Sequence, residues 1–288
     1  MCLLAFAIAS DTLRPFVMAS NRDEFFARPT QGLHTWSTAS GVRIHAGRDE
    51  KDGGTWLGVN DHGRIAMLTN VRSGLPEQGQ RSRGELTTGW LSGEITATQW
   101  LNEIEPANYG GFNLVIGDVF TQNWFWCSNR SPADPHQPAT TELHVQALRP
   151  GTYGLSNAAL DTPWPKTATL RNALRSAVAE NRDDLASQPG PLTDALASRY
   201  VDPYEPLPQT GVSPEAERAL ASAFISIPTQ GYGTRCSTVV QVTGSAQHGT
   251  LQLQMDEWTH PPSPETAAET ASWANSEHRQ LKQVLRGR

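Results

Sequence analysis

The sequence predicts an α+β fold in which two β-sheets pack face to face with helices on their outer surfaces. Three observations carry that expectation. Strand-like segments come in three blocks separated by helices. Several of those strands are apolar along nearly their whole length, as strands buried on both faces are. The 288 residues also include nine tryptophans, twenty-four glycines and twenty prolines, a composition of many turns rather than of a helical bundle.

The elements follow in order. Cys2–Ala9 is almost all apolar and runs into the turn "SDTLRP", which suits a buried strand. "FVMASNRDE" resumes as a second strand whose alternation puts Asn21 and Asp23 on one face and Arg22 and Glu24 on the other. "TWLGV" and "RIAMLT" flank "NDHG", a hairpin with Gly63 at its tight position. Ser82, with Glu85 three residues on, reads as a capping box for a short helix ending near Gly93, and "TATQWLNEIEP" as a second helix stopped by Pro106. "GFNLVIGD", "NWFWCSN", "ELHVQAL" and "TYGLSN" are strands. "PWPKTATLRNALRSAVAEN" carries proline at its start and apolar spacing through Leu170, Leu174 and Val178, the marks of a helix. "PLTDALASRY" and "SPEAERALASAF" add two more helices, and "TRCSTVVQVT" and "TLQLQMDEW" form a closing hairpin. Residues 1–260 read as one domain and residues 261–288 as a polar C-terminal helix or tail.

Composition excludes several classes. A net charge of −6 argues against nucleic acid as a partner, since such domains carry a basic excess. Three cysteines without close spacing make no disulfide framework, and Cys127 and Cys236 fit small core side chains. No basic residue precedes the first apolar run, which is too short to span a bilayer, so the expectation is a cytoplasmic protein with no transmembrane segment. The eight histidines are scattered with no metal-binding spacing, and solvated loop residues account for His34, His45 and Asp49 better than a metal site does. No phosphate-binding loop or dinucleotide fingerprint occurs, and no cofactor or metal is expected.

The nucleophile question is more productive. There is no GxSxG elbow. Once Met1 is removed, Cys2 carries a free α-amine with a pKa of about 7.7–8.0 beside a thiol near about 8.5. That amine can take the thiol proton, so no histidine base is needed. Polar residues cluster where apolar strands begin or end: Asn21 to Glu24, Asn70, Asn157 and Arg235. Singly, each fits turn capping or a surface pair. Together with Cys2 they outline a site.

The stretches "MCLLAFA", "NRDEFFARPT", "GGTWLGVNDHG", "NYGGFNLVIGD", "GLSNAALDTPWPK" and "YGTRCSTVV" resemble the NRDE-motif family, the transport-and-Golgi-organisation-two-like proteins, over nearly the whole chain. The resemblance implies an N-terminal-nucleophile hydrolase-like fold, an αββα four-layer sandwich. More distantly the pattern is similar to the cysteine branch of that superfamily, the penicillin V acylases and bile-salt hydrolases. Carried over by motif, Cys2 is the nucleophile and its amine the base, and Arg22 and Asp23 are the charged pair after the second strand. Asn70, with the backbone N–H near Asn70–Val71, and Asn157 supply oxyanion contacts, and Arg235 is the late arginine near the cysteine. The acylases separate their arginine and aspartate by two residues, whereas Arg22 and Asp23 are adjacent, so either Asp23 or Glu24 holds the acidic role. Positive charge from Arg22 and Arg235 is expected to favour the thiolate. Arg28, Trp36, Trp56 and Trp164 are candidates for shaping the pocket, with core packing the alternative for each tryptophan.

Two functions from different classes follow. The first is a cysteine N-terminal-nucleophile hydrolase cleaving a small non-peptide amide. The second is a non-catalytic carrier for haem, lipid or acyl-CoA on the same fold, since the resemblance extends to eukaryotic relatives linked to such handling. A third reading keeps the fold with neither activity.

Overall fold

The computed structural model describes all residues except 1, 12, 75–78, 138–140, 181, 183–184, 189, 263–269 and 288. Met1, whose removal the catalytic reading requires, therefore lies outside the described residues. Strands β1 (Cys2–Asp11), β2 (Arg14–Phe25), β3 (Thr30–Ser37), β4 (Arg43–Asp49), β5 (Leu57–Asn60) and β6 (Arg64–Asn70) lead into helices α1 (Gly84–Ser92) and α2 (Ala97–Asn102). Strands β7 (Phe112–Asp118), β8 (Asn123–Ser128), β9 (His144–Leu148) and β10 (Gly151–Leu155) precede α3 (Pro165–Ala179), α4 (Pro191–Ala197) and α5 (Pro214–Ala219). The short β11 (Ser226–Ile227) and the long β12 (Tyr232–Thr243), β13 (Thr250–Thr259) and β14 (Glu277–Arg286) complete the chain.

These strands form two seven-stranded sheets. The first runs β10-β1-β2-β12-β13-β14, with β11 on the end of β12; the second is a meander from β3 to β9 in sequence order. Every strand pair is antiparallel, in keeping with the short connections. Alternation sorts β1 cleanly. Leu4, Phe6 and Ile8 point between the sheets, where they meet Met67, Val115 and Trp124 of the second sheet. Leu3, Ala5 and Ala7 point outward under Leu170 and Leu174 of α3 and Leu192 of α4. On the far side, Ile44, Ala66 and Leu114 pack under Trp90 of α1 and Trp100 of α2. The layers are thus helix, sheet, sheet, helix: the α+β, αββα four-layer sandwich that the sequence predicts.

Three local readings need correction. Residues 277–286 are an edge strand on β13, not a helix or arm, with Leu285 fully buried. Its charged outer face hid the alternation, as the polar edges that discourage sheet-to-sheet association do. Ser82 and Glu85 do not form a capping box: the N-cap of α1 is Arg83, and Glu85 pairs instead with Arg81. A true box forms at α2 between Thr96 and Gln99. Finally, β3 and β4 are strands the sequence reading did not identify. The hairpin at Gly63 is as expected, with φ +83° in the left-handed region that glycine tolerates.

One buried histidine gives this fold a pH signature. His260 lies between the hydroxyls of Ser237 (2.8 Å) and Ser276 (2.7 Å) and against the Phe224 and Trp273 rings. Burial pushes its pKa down to about 4. The unfolded chain takes up this proton near about pH 6.5 and the folded chain only much lower. Stability is therefore expected to fall by about 3 kcal/mol as pH drops from about 6.5 to about 4. Urea unfolding at several pH values should show that loss in the wild type and not in His260→Gln.

Candidate active site

Cys2 opens β1 on the same face as Leu4, so its thiol enters the gap between the two sheets. Antiparallel pairing sets Arg22 opposite Cys2, and Cys236 opposite Arg22 on the other side. At this end of the sandwich the sheets part around a cavity of about 1090 Å³. Cys2, Arg22, Asp23, Glu24, Trp56 and Asn70 are among the residues that line it.

The NRDE stretch divides its work by alternation. Asn21 faces the helices: its Nδ2 donates to the carbonyls of Leu196 and Ala223, and its Oδ1 accepts from Ser237. It anchors α4 to the sheet. Arg22 faces the other sheet, stacked over the Trp56 ring at 4.2 Å and paired with Asp49 (3.6 Å) and Glu24 (4.0 Å). Asp23 is buried on the helix side, where Thr234 donates to it at 2.8 Å. Asp23 and Glu24 do keep different company. The Asp23 charge weighs more on the Cys2 thiol than the Glu24 charge does.

Arg22 favours the Cys2 thiolate, as expected, but burial is the larger influence. Burial pushes the Cys2 thiol up, and Arg22 pulls it down too weakly to reverse that. Desolvation of a thiolate is the largest influence, and it outweighs the N-terminal ammonium and the Arg22 guanidinium, which both pull the thiol down. Arg235 does not line the cavity. It sits at the bulge in the β2–β12 pairing, and its guanidinium donates to the carbonyls of Phe25 and Arg28, fixing the loop after β2. Cys127 and Cys236 are buried in the core, and burial raises both thiols well above the ordinary range.

The two asparagines have different positions. Asn157 is fully buried, and its Nδ2 donates to the Asn70 carbonyl at 2.8 Å. The Val71 N–H is committed to the Gly111 carbonyl (3.0 Å) and the Arg72 N–H to the Asn157 carbonyl (2.8 Å). Neither the Val71 N–H nor Asn157 faces the cavity as a free donor pair. Asn70 lines the cavity, and Asn157 holds its backbone in place. Ser156 strengthens the junction, donating to the Cys2 carbonyl at 3.1 Å, while Thr69 donates to the Ser156 carbonyl at 2.6 Å. These bonds tie the end of β6 in one sheet to β1 and β10 in the other.

Trp56 and Arg28 line the cavity, Arg28 held by Asp49 and Asp52. Trp36 instead packs on the outer face of the second sheet, and Trp164 borders a separate cavity of about 270 Å³ behind the site. His45 pairs with Asp61 at 2.8 Å, His34 with the Gly32 carbonyl, and Asp49 with Arg28. Among the described residues no three such side chains converge as metal ligands.

Sequence reasoning missed Lys166. It is buried on α3, and its Nζ donates to the Leu220 carbonyl at 2.8 Å. Burial and Arg72 push its pKa down to about 8, against the pull of Asp23, Glu217 and Cys2. Burial likewise pushes Asp23 up, and Lys166 is the strongest influence in the other direction. Lys166→Met is expected to lower thermal stability at pH 7, because it leaves the buried Asp23 carboxyl and the Leu220 carbonyl without this partner. It should also move the acid limb of any Cys2-dependent rate to higher pH, as Asp23 loses its main opposing cation. A pH–rate profile checks this: an unmoved acid limb would show that Lys166 only packs.

Among solved structures, the chain is similar to the C2A mutant of conjugated bile acid hydrolase from Clostridium perfringens, at 9% identity and a TM-score of 0.46, covering 98% of this chain and 97% of that one. It is also similar to a Caenorhabditis elegans N-acylethanolamine-hydrolyzing acid amidase ortholog, at 8% identity and a TM-score of 0.46, covering 83% and 92%. In sequence it is 30% identical over 257 residues to the human Transport and Golgi organization protein 2 homolog, and 29% identical over 268 residues to that of Bos taurus. Each alignment covers 84% of this chain and 88% of the relative. The Drosophila melanogaster Transport and Golgi organization protein 2 is 23% identical over 261 residues. The family model for Transport and Golgi organisation 2 matches residues 1–256, and the chain belongs to that family.

Proposed function

We propose that this protein is a cysteine N-terminal-nucleophile hydrolase that cleaves a small non-peptide amide once Met1 has been removed. The observation that carries the reading is the placement of Cys2: the first strand's first side chain enters a large cavity beside Arg22, Asn70 and two carboxylates.

The steps follow from that placement. The Cys2 amine accepts the thiol proton as sulfur attacks the amide carbon, so no standing thiolate is required. The carbonyl π electrons move to oxygen, and the Asn70 side-chain amide stabilises the oxyanion; one such donor is worth about 3–4 kcal/mol in other enzymes. The resulting ammonium gives its proton to the leaving nitrogen, the C–N bond breaks, and a thioester remains on Cys2. Water then attacks the thioester with the amine again as base, releasing the acid and restoring the thiol. Burial pushes the Asp23 carboxyl up and Lys166 pulls it back down, and in its ionised form Asp23 supports the ammonium form of the base.

The test is release of free amine and acid from a panel of N-acyl amides, followed by chromatography, with the Met1-retaining protein as the control. Turnover confined to the processed protein is expected; equal turnover by both forms, or by neither, counts against the reading. The size of the cavity favours one second reading, a carrier for haem or an acyl-CoA, because about 1090 Å³ exceeds what a small amide fills. Absorbance titration with haem that shows no saturable change removes the haem form of it.

A further inference from the structure

We propose that Arg83 anchors a carboxylate on the substrate, so that the amides bound at Cys2 are anionic; this rests on the hydrolase reading above. Five cationic side chains, Arg22, Arg28, Lys51, Arg81 and Arg83, stand among the described residues of the cavity wall. Arg22 is held by Asp49 and Glu24, Arg28 by Asp49 and Asp52, and Arg81 by Glu85. Lys51 is exposed at the rim. Arg83 is half-buried and lines the cavity, and among the described residues its guanidinium makes one hydrogen bond, from Nη1 to the Gly111 carbonyl at 3.1 Å. Among the described residues, no carboxylate lies within ion-pair distance of it.

A guanidinium has five N–H donors in a planar fork that matches a carboxylate. The donors that the protein leaves unused open into the cavity, where a carboxylate can take two of them at once. Burial pushes the Arg83 pKa down and Arg28 adds to that, while Glu24 favours its charge. Arg83 lines the same cavity as the proposed nucleophile, Cys2.

The mounting of Arg83 is rigid. A Cβ on Gly54 would come within 2.6 Å of the Gly84 carbonyl carbon, so the chain after Arg83 lies directly on the loop before β5. Thr87, one turn into α1, donates to the Thr55 carbonyl at 2.5 Å. The next residue, Trp56, is the ring on which Arg22 stacks opposite Cys2. Arg83 and Cys2 are therefore two fixed points on one cavity, one suited to a carboxylate and one to an amide carbon.

Calorimetry on the Cys2→Ala protein, which binds without consuming ligand, tests this with N-hexanoylglycine and its neutral counterpart N-hexanoylglycinamide. The carboxylate form is expected to bind tighter by about tenfold or more, the effect of a charge-assisted bidentate contact. Arg83→Met should remove that preference and leave the affinity of the neutral amide unchanged; Arg83→Lys, which keeps the charge but loses the fork, should retain part of it. Equal binding of the two ligands, a preference that survives Arg83→Met, or no binding of either would overturn the proposal. If the carboxylate binds through Arg83 and the Cys2-containing protein never cleaves it, the hydrolase reading fails and the anchor stands.

Discussion

Cys2→Ser is expected to lower amide cleavage by about a thousandfold or more and Cys2→Ala to abolish it, with folding retained in both. Serine keeps the size and the hydrogen-bonding reach of cysteine, but its hydroxyl is a far poorer nucleophile for the same amine base. The structural cost is small because Cys2 is at the end of a strand, and its carbonyl bond from Ser156 involves the backbone only. Cys127→Ser and Cys236→Ser provide the contrast. Both thiols are buried in apolar clusters, so they should lose stability and keep activity. Product release measured across the four variants, with denaturant midpoints alongside, separates the two kinds of effect. Activity that survives in Cys2→Ala would remove Cys2 from the chemistry.

Glu217→Ala is expected to have the largest effect on stability, about 3–5 kcal/mol. Glu217 and Arg72 are each only 3% exposed and pair at 2.6 Å. Glu217 also accepts from the backbone N–H and the hydroxyl of Thr210, at 2.7 and 2.6 Å. Removing the carboxylate leaves a buried guanidinium without its counter-charge and the buried Thr210 N–H without this acceptor, which is the expensive way to break such a pair. The double variant Arg72→Met/Glu217→Met should be less destabilised than Glu217→Ala, because no charge is left behind. Equilibrium unfolding in urea measures both. The damage should spread to function, since α5 carries Glu217 and contributes Ala216 and Ala219 to the cavity wall. A Glu217→Ala loss smaller than that of the double variant would show that the pair contributes little.

The parts of this fold that the sequence made legible are those whose burial leaves a pattern. β1 and β7 are apolar runs, β12 alternates through Val240 and Val242, and α3 shows its buried stripe at Leu170 and Leu174. β3 and β14 left no such pattern, because both alternate polar residues against a face only partly covered. The site divides in the same way. Cys2, Arg22, Asp23 and Asn70 stand out as polar residues at strand ends, and all four line the cavity. Arg235 carried the same signal but serves a bulge, since a strand end does not reveal which way a long side chain turns. Lys166 and Arg83 were illegible because their significance is electrostatic. One is an ammonium buried inside a helix pattern and the other a guanidinium without a carboxylate, and both conditions exist only once distant segments meet.

The central claim rests on one processing event and one covalent bond, and a single mass measurement reaches both. Intact mass spectrometry of the untagged protein, before and after acid quenching during turnover of an N-acyl amide, should give a mass short by one methionine and then a further increase equal to the acyl group, located to Cys2 by peptide mapping. A chain that keeps Met1 and carries no acyl group on Cys2 under those conditions would contradict the account.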